Sequence, residues 1–211
     1  MGRDDRIAVL STRDIAYRDR LVTKSGAWWK RLIPVQAPYR FNVRRLCQGK
    51  TLEIGCGIGR NLSHLGVDRA IGVDHNVDSV ATAKSRGLIA FAPEEFVDSR
   101  VAKLKSFDHL LFAHVAEHMT TAEFKNLVNV YTPYLKDDGT IVCFTPQERG
   151  YASDATHVRF VDFGQITHDL LALGFTPSTQ FSFPFPRAAG RLFPHNEFVV
   201  VARRYDSKAM K

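Results

Sequence analysis

Short apolar runs alternate with amphipathic stretches along the middle of the chain. The apolar runs predict strands and the stretches between them predict helices. Strands are predicted near residues 50–54, 70–74, 88–92, 107–113 and 139–145. Helices are predicted near residues 59–66, 77–86, 120–135 and 162–173. This alternation predicts an α/β domain whose parallel sheet is covered by helices on both faces.

The segment 176–204 departs from that alternation. It contains two β-rich runs separated by proline and glycine, which predicts an antiparallel strand pair that closes the sheet. Ligands of open α/β sheets bind beyond the carboxyl ends of the strands, where the strand order reverses. Gly55, Asp74, Glu95 and His114 each follow a predicted strand, so we expect all four at this edge of the sheet.

The stretch LEIGCGIGRNL, residues 52–62, carries the strongest local signal. Its alternate glycines permit a tight turn and a close approach of the backbone to a ligand. A dinucleotide fingerprint needs a further glycine where this chain has Arg60, so NAD and FAD are disfavoured. Asp74 ends the next strand, at the distance expected of an acid that accepts hydrogen bonds from ribose hydroxyls.

Composition indicates a single globular domain. A chain of 211 residues with 45% hydrophobic content can bury a substantial core. No apolar run approaches membrane-spanning length, and the first residues are too densely charged for a secretory signal, which predicts a cytoplasmic protein. The three cysteines are scattered, so neither a disulfide framework nor a thiolate metal site is expected.

From about Lys50 to Phe175 the chain resembles class I S-adenosylmethionine (SAM)-dependent methyltransferases. The resemblance rests on the order of LEIGCGIGRNL, IGVDHN, FAPEEF, FDHLLFAHVAEHM and LKDDGTIVCFTP. It implies a Rossmann-like, seven-stranded sheet with an antiparallel C-terminal pair, and SAM as the cofactor. The residues that it places around SAM are Glu53, Gly55, Cys56, Gly57, Gly59, Asp74, His75, Glu95, Phe96 and Ala113.

Positive charge is concentrated before the predicted domain. Residues 1–50 hold 12 Lys and Arg against 4 Asp, while the rest of the chain is almost neutral. We predict a basic, aromatic extension over residues 1–48, the methyltransferase domain over 49–205 and a tail over 206–211. The resemblance implies that such an extension closes as a lid. The alternatives are attraction of an anionic partner such as nucleic acid, and simple packing against the sheet.

A second group of candidate residues follows the fourth strand in HVAEH. His114, Glu117 and His118 converge on one side if this segment turns helically, and His157 lies in the loop after the fifth strand, which faces the same pocket in this fold. Imidazole and carboxylate groups bind metals, and neutral imidazole also accepts protons. We expect either a divalent-metal site formed by all four residues, with Mg²⁺ or Mn²⁺, or a general-base group of Glu117, His118 and His157. The remaining alternative is that these residues only cap or pack against the next helix.

The same residues are similar to the metal sites of small-RNA 2′-O-methyltransferases and of ubiquinone-pathway O-methyltransferases. Those families carry E-x-x-E-H after the fourth strand, and Glu117 and His118 match its last two positions. His157 in HVRF matches a downstream histidine of the RNA enzymes. His114 replaces the first glutamate, which leaves the metal open between Mg²⁺ and ions that imidazole suits, such as Zn²⁺, Fe²⁺ or Mn²⁺.

The acceptor is indicated only by a broader resemblance. VQAPYRFN, APEEF, AHVAEHM and PQERGYASDATHVRFVDF together are similar to small actinobacterial methyltransferases, among them the 1-O-methyltransferases of mycobacterial methylmannose polysaccharide synthesis. That implies transfer to a hydroxyl of a small sugar, such as a partly methylated mannoside. The alternatives are O-methylation of RNA or of a quinone or phenol, and a non-catalytic SAM-binding protein.

Overall fold

The computed structural model describes residues 36–205, and residues 1–35 and 206–211 lie outside the described part. Its helices are α1 Ala37–Leu46, α2 Arg60–Leu65, α3 Val77–Ser85, α4 Pro93–Val97, α5 Thr121–Tyr131, α6 Glu148–Tyr151 and α7 Phe163–Leu171. Its strands are β1 Thr51–Ile54, β2 Ala70–Val73, β3 Ala90–Phe91, β4 Phe107–Ala113, β5 Leu135–Pro146, β6 Phe175–Phe183 and β7 Glu197–Arg204. Between residues 36 and 205, no helix has the length and apolar character needed to span a membrane.

All seven strands form one sheet in the order β3-β2-β1-β4-β5-β7-β6. The first five strands run parallel, and β7 pairs antiparallel with both β5 and β6. The predicted Rossmann-like sheet with its antiparallel C-terminal pair is therefore confirmed. The strand order reverses between β1 and β4, so their carboxyl ends frame the crevice in which ligands of such sheets bind.

The central strands are buried on both faces of the sheet. Successive residues of β4 point to opposite sides: Leu110 and Phe112 enter one core, whereas Leu111 and Ala113 enter the other. All four residues of β1 are buried. This double burial explains why these strands appear in the sequence as short apolar runs rather than as alternating patterns.

Several element boundaries differ from the sequence prediction. The helix predicted over 120–135 ends at Tyr131, and a 3₁₀ turn, Thr132–Tyr134, follows. Pro133 accounts for this difference because it cannot donate a backbone hydrogen bond within a helix. Strand β5 then starts at Leu135, before its predicted start at 139. The sequence prediction also placed no helices at α1, α4 or α6.

Helix α1 is the described part of the predicted N-terminal extension, and it is docked on the domain. Its Tyr39 hydroxyl donates to the backbone oxygen of His195 at 2.9 Å. The Arg45 guanidinium lies 4.9 Å from the ring centre of Phe181 on β6. Val43 is buried in the core. The rest of the predicted extension lies outside the described residues, so the lid stays a prediction.

Helix α5 begins with a capping box formed by Thr120 and Glu123. The Glu123 amide donates to Thr120 Oγ1 at 3.3 Å, and the Thr120 amide donates to the Glu123 carboxylate at 2.8 Å. We expect Thr120→Ala to lower the free energy of unfolding by about 1 kcal/mol, because one helix-end amide loses its acceptor. Urea denaturation measures this change, with Asn129→Ala on the exposed side of the helix as the control. Equal stability of the two variants would contradict the capping role.

Candidate active site

The loop after β1 approaches its neighbours too closely for side chains at two of its glycines. Gly55, Gly57 and Gly59 all adopt positive φ angles, of 76°, 52° and 81°. A Cβ at Gly55 would collide with the Val115 side chain, and one at Gly59 would collide with Leu88. The glycines predicted from the sequence are therefore required by the backbone itself.

Asp74 joins this loop to the end of β2. One of its carboxylate oxygens accepts from the Gly57 amide at 2.7 Å, and the other accepts from the Asn76 amide at 2.8 Å. Asp74 is largely buried. The neighbouring His75 side chain is 42% exposed, with Nδ1 3.8 Å from the Asp74 carboxylate. The loop and Asp74 therefore form one rigid unit at the carboxyl ends of β1 and β2.

Glu53 is a buried carboxyl group on β1, next to the loop. One oxygen accepts from Asn61 Nδ2 at 2.7 Å, and the other oxygen makes no hydrogen bond within residues 36–205. Burial raises the pKa of Glu53 to about 8, against the smaller opposing effect of the Asn61 hydrogen bond. An unsatisfied buried carboxyl beside a glycine loop is suited to a polar or cationic ligand group.

Four other residues predicted to lie around the cofactor have different surroundings. Glu95 accepts from the Ala92 amide at 3.2 Å and pairs with Lys84 at 2.9 Å on the surface of α4. Phe96 is completely buried, so its ring offers no surface to a ligand. Cys56 directs its thiol into the core beneath the loop. Ala113 ends β4 and is nearly buried. Cys56 and Ala113 can therefore contact a ligand beside the loop only through their backbone groups.

His114 follows β4 and bridges two carboxylates. Its Nε2 lies 2.9 Å from Glu197 Oε1, and its Nδ1 lies 3.3 Å from Glu117 Oε1. Burial by itself would lower the pKa of His114, but the two adjacent carboxylates outweigh burial and raise the pKa to about 9. Both ring nitrogens of His114 thus face carboxylates. The metal site formed by all four residues stays a prediction.

The other three predicted residues come together. Glu117, His118 and His157, which we call the Glu-His-His cluster, each offer one donor atom, and these atoms lie within 4.8 Å of one another. Ligands of one metal ion with bonds of about 2.1 Å lie roughly 3 to 4 Å apart, so modest side-chain rotations would complete a site. The two imidazole ring centres are 4.8 Å apart.

Hydrogen bonds to backbone carbonyls set the orientation of both imidazoles. His157 Nδ1 donates to the Tyr151 carbonyl oxygen at 2.7 Å, which leaves the lone pair of that ring on Nε2. His118 Nδ1 faces the Thr156 carbonyl oxygen at 3.3 Å in the same manner. Burial lowers the pKa of His118, so this ring is neutral near pH 7. Imidazoles fixed through Nδ1 are typical of metal ligands and of general bases.

The carboxylate of the cluster is completely buried and poorly satisfied. Neither oxygen of Glu117 accepts a hydrogen bond with good geometry from residues 36–205. Its 3₁₀ turn, Ala116–His118, is held by backbone bonds, since the Val158 amide donates to the Glu117 carbonyl at 2.8 Å. Arg159 donates to the Ala116 carbonyl oxygen at 3.2 Å from the other side. These bonds keep the two segments of the cluster adjacent.

A cleft beside the glycine loop contains residues that the sequence prediction did not select. It is lined by Tyr39, Asn42, Arg60, Asn61, Phe144 and Glu197. Of these, Glu197 had a recognisable signal, because it is a lone charge at the start of the apolar run FVVV. Asn42 and Tyr39 had none, since they reach the cleft only through the docking of α1.

Comparison with known proteins agrees with this architecture. Residues 52–143 match the family model described as a methyltransferase domain. A SAM-dependent methyltransferase from Archaeoglobus fulgidus superposes with a TM-score of 0.65 at 18% identity, over 90% of this chain and 100% of that one. The 1,6-didemethyltoxoflavin-N1-methyltransferase of Burkholderia thailandensis gives 0.58 at 17% identity, over 90% and 88%. Magnesium protoporphyrin IX methyltransferase from Synechocystis gives 0.58 at 14% identity, over 92% and 93%.

No curated protein sequence gives a significant match. The solved structures show the fold, and the family match extends from β1 into β5. Together they show a methyltransferase-domain match over residues 52–143 and the fold of solved SAM-dependent methyltransferases. This favours an enzyme over the non-catalytic alternative raised by the sequence.

Proposed function

We propose that the protein is an O-methyltransferase that transfers the methyl group of SAM to a hydroxyl of a small sugar acceptor. The Glu-His-His cluster serves as a divalent-metal site in this proposal. The observation that carries it is Glu117, a fully buried carboxylate without hydrogen-bonded partners between residues 36 and 205, beside the imidazoles of His118 and His157. His114 lies 3.3 Å from one Glu117 oxygen, and a metal ion would engage the carboxylate together with the two imidazoles.

The cofactor fits the loop and the two carboxyl groups beside it. SAM, when bound, supplies an electrophilic methyl group. The Asp74 carboxylate is held by two backbone amides and retains lone pairs for the ribose hydroxyls. Glu53 has an oxygen without a partner in residues 36–205, which suits the ammonium group of the methionine part. Close approach of the backbone at Gly55 requires the absence of a side chain.

The cluster supplies what an alcohol acceptor needs. An aliphatic hydroxyl is un-ionised near pH 7, so its proton must be removed as the oxygen attacks the methyl group. A divalent ion at Glu117, His118 and His157 would lower the pKa of a hydroxyl that it contacts. Without a metal, the Nε2 lone pair of His157 accepts the proton directly. Both routes use the same side chains, so chelator sensitivity distinguishes them.

The choice of a sugar rests on the sequence resemblance and on the surroundings of the cluster. Tyr151 stacks on His157 with ring centres 5.3 Å apart, and Phe160 packs edge-on against Tyr151. Phe160 remains 36% exposed. Aromatic rings beside the reacting groups are suited to the face of a sugar ring. A partly methylated mannoside is the acceptor that the resemblance to actinobacterial enzymes implies.

RNA is the second candidate acceptor. Helix α1 presents Arg40 and Arg44 on its outer side together with Phe41, which is 66% exposed. Basic and aromatic side chains on one surface favour single-stranded nucleic acid. The match of Glu117, His118 and His157 to the RNA enzymes also supports RNA as the acceptor.

The division of the chain is part of the proposal as well. Residues 1–48 serve as an extension of the methyltransferase domain, and residues 206–211 serve as a tail.

The raised pKa of Glu53 gives a testable pH dependence. At pH 6 the carboxyl is largely protonated, and it becomes progressively ionised as the pH approaches its pKa of about 8. Because only the ionised form attracts the SAM ammonium, affinity for SAM should rise roughly 10-fold between pH 6 and 7, where an α-amino group stays largely protonated. Calorimetric titration measures this change. Glu53→Gln should bind more weakly with a flat profile, and an equally steep profile in that variant would contradict the assignment.

The acceptor is tested by a transfer assay with radiolabelled SAM. The screen includes methylated mannosides, small-RNA 3′ ends and quinone precursors, each with EDTA and with added Mg²⁺ or Mn²⁺. We expect label in a mannoside, lost with EDTA and restored by a divalent ion. Label only in RNA or phenols would overturn the sugar acceptor. Transfer that resists EDTA would overturn the metal site and leave the general-base route.

A further inference from the structure

His114 has an unusual backbone conformation and is linked to a distant strand. Its φ angle is 59°, in the left-handed region that non-glycine residues seldom occupy. The His114 amide donates to the Phe144 carbonyl oxygen on β5 at 2.9 Å, which holds this conformation in place. Such strained residues persist only where the surrounding structure fixes them, and they cluster at functional sites.

The imidazole of His114 stands between two carboxylates that belong to different parts of the fold. Glu197 is the first residue of β7, and Glu117 lies in the 3₁₀ turn after β4. Glu117 is fully buried, and Glu197 is 5% exposed. The three side chains form a continuous line, Glu197–His114–Glu117, that runs from the C-terminal strand pair to the Glu-His-His cluster.

We propose that Glu197 and His114 are positioning residues that hold the Glu117 carboxylate towards His118 and His157. This inference rests on the metal site of the proposed function. No hydrogen bond within residues 36–205 orients Glu117, and its ion pair with His114 is 3.3 Å long. Glu197 in turn anchors the opposite nitrogen of the His114 ring at 2.9 Å. The orientation of Glu117 thus depends on a residue 80 positions further along the chain.

Electrostatics supports the same dependence. Without the ring of His114, two buried carboxylates would face one another across its place, and like charges in a poorly solvated site repel strongly. Without Glu197, the ring loses its shorter contact and is free to turn away from Glu117. Either change would leave His118 and His157 in place, because backbone carbonyls hold their Nδ1 atoms. The expected defect is therefore in metal geometry rather than in the fold.

The test is a titration of the full-length protein with Co²⁺, without SAM, followed by visible absorption and calorimetry. We expect Glu197→Gln and His114→Gln each to weaken Co²⁺ binding by roughly 10- to 100-fold, the range found when partners of metal ligands are changed. The absorption bands should shift with the altered ligand geometry. The double variant should bind no more weakly than His114→Gln alone, because Glu197 acts through His114. Glu148→Gln, which breaks a surface pair with Arg187, is the matched control and should bind as the unaltered protein does.

The outcomes separate this inference from the proposed function. If the unaltered protein does not bind Co²⁺, the metal site itself is wrong, and the positioning role is wrong with it. If it binds Co²⁺ and Glu197→Gln shows the same affinity and spectrum, the positioning role is overturned while the metal site stands. Glu197→Asp, which keeps the charge, covers the case in which Glu197→Gln does not fold. Because the shorter side chain reaches His114 less well, its Co²⁺ affinity should lie between those of the unaltered protein and His114→Gln. An affinity equal to that of the unaltered protein would also overturn the inference.

Discussion

Replacing His157 with alanine is expected to lower kcat by roughly 100- to 10,000-fold, the usual contribution of a positioned group that handles a proton. The ring lies beside His118, and its Nδ1 is fixed by the Tyr151 carbonyl oxygen, so its loss removes either a metal ligand or the base. Affinity for SAM should remain unchanged, because His157 lies outside the glycine loop and the Asp74 contacts. Steady-state kinetics and calorimetry measure the two quantities separately.

His168→Ala is the matched control for this change. His168 is a histidine on α7 whose side chain is 71% exposed, and it lies outside the cluster. It should retain full activity. A His157→Ala variant with the kcat of the control would contradict the placement of the chemistry at the Glu-His-His cluster. A variant that loses SAM binding as well would indicate a structural rather than a chemical role.

Asp74→Ala is expected to weaken SAM binding by about 5- to 150-fold. That range corresponds to about 1 to 3 kcal/mol, the cost of removing a charged hydrogen-bond partner. The physical reason is twofold. The cofactor loses its acceptor for the ribose hydroxyls, and the amides of Gly57 and Asn76 lose the carboxylate that aligns them. Isothermal titration calorimetry measures the affinity.

Asp68→Ala serves as the control for the Asp74 change. Asp68 is exposed in the turn before β2. Its replacement should leave SAM affinity as it is. If the Asp74 and Asp68 variants bound SAM equally well, the ribose assignment would be refuted. A thermal unfolding profile of each variant checks that a loss of binding does not come from loss of the fold.

The positions of the glycine loop and Asp74 could be predicted from the sequence because this part of the site is built from local features. A strand, a glycine turn and a helix start lie within residues 52–62, and positive φ angles at the glycines follow directly from such a turn. Asp74 follows the next strand, and parallel strands bring their carboxyl ends together. The seven-stranded sheet could be predicted for the same reason, since alternation of elements determines its parallel part.

The charge state of His114 could not be predicted because it depends on a distant residue. Its spacing from Glu117 and His118 is compatible with a ligand. The contact with Glu197 crosses 83 positions and follows from the pairing of β5 with β7. Nothing in the local sequence indicates that both ring nitrogens face carboxylates. The short motif therefore places Glu117 and His118 near His157, whereas the contacts of His114 depend on β7.

The surroundings of Glu95 and Phe96 could not be predicted for a different reason. The FAPEEF segment forms the short helix α4, which was not predicted as a helix. Helix formation sends Phe96 inward against Phe107 and Tyr134, and it leaves Glu95 to cap its own helix start. Side-chain direction in such a segment depends on whether it is helical or extended, which two or three residues of sequence do not decide.

The central claim is transfer of a methyl group from SAM to a hydroxyl at the Glu-His-His cluster. The most direct test is carbon-13 NMR of the product formed from SAM labelled in its methyl group, with the acceptor that the transfer screen identifies. We expect the labelled carbon to be bonded to oxygen, and the signal to disappear with EDTA and in His157→Ala. A labelled carbon bonded to nitrogen or sulfur, or an oxygen-bonded signal of unchanged size in His157→Ala, would contradict the account.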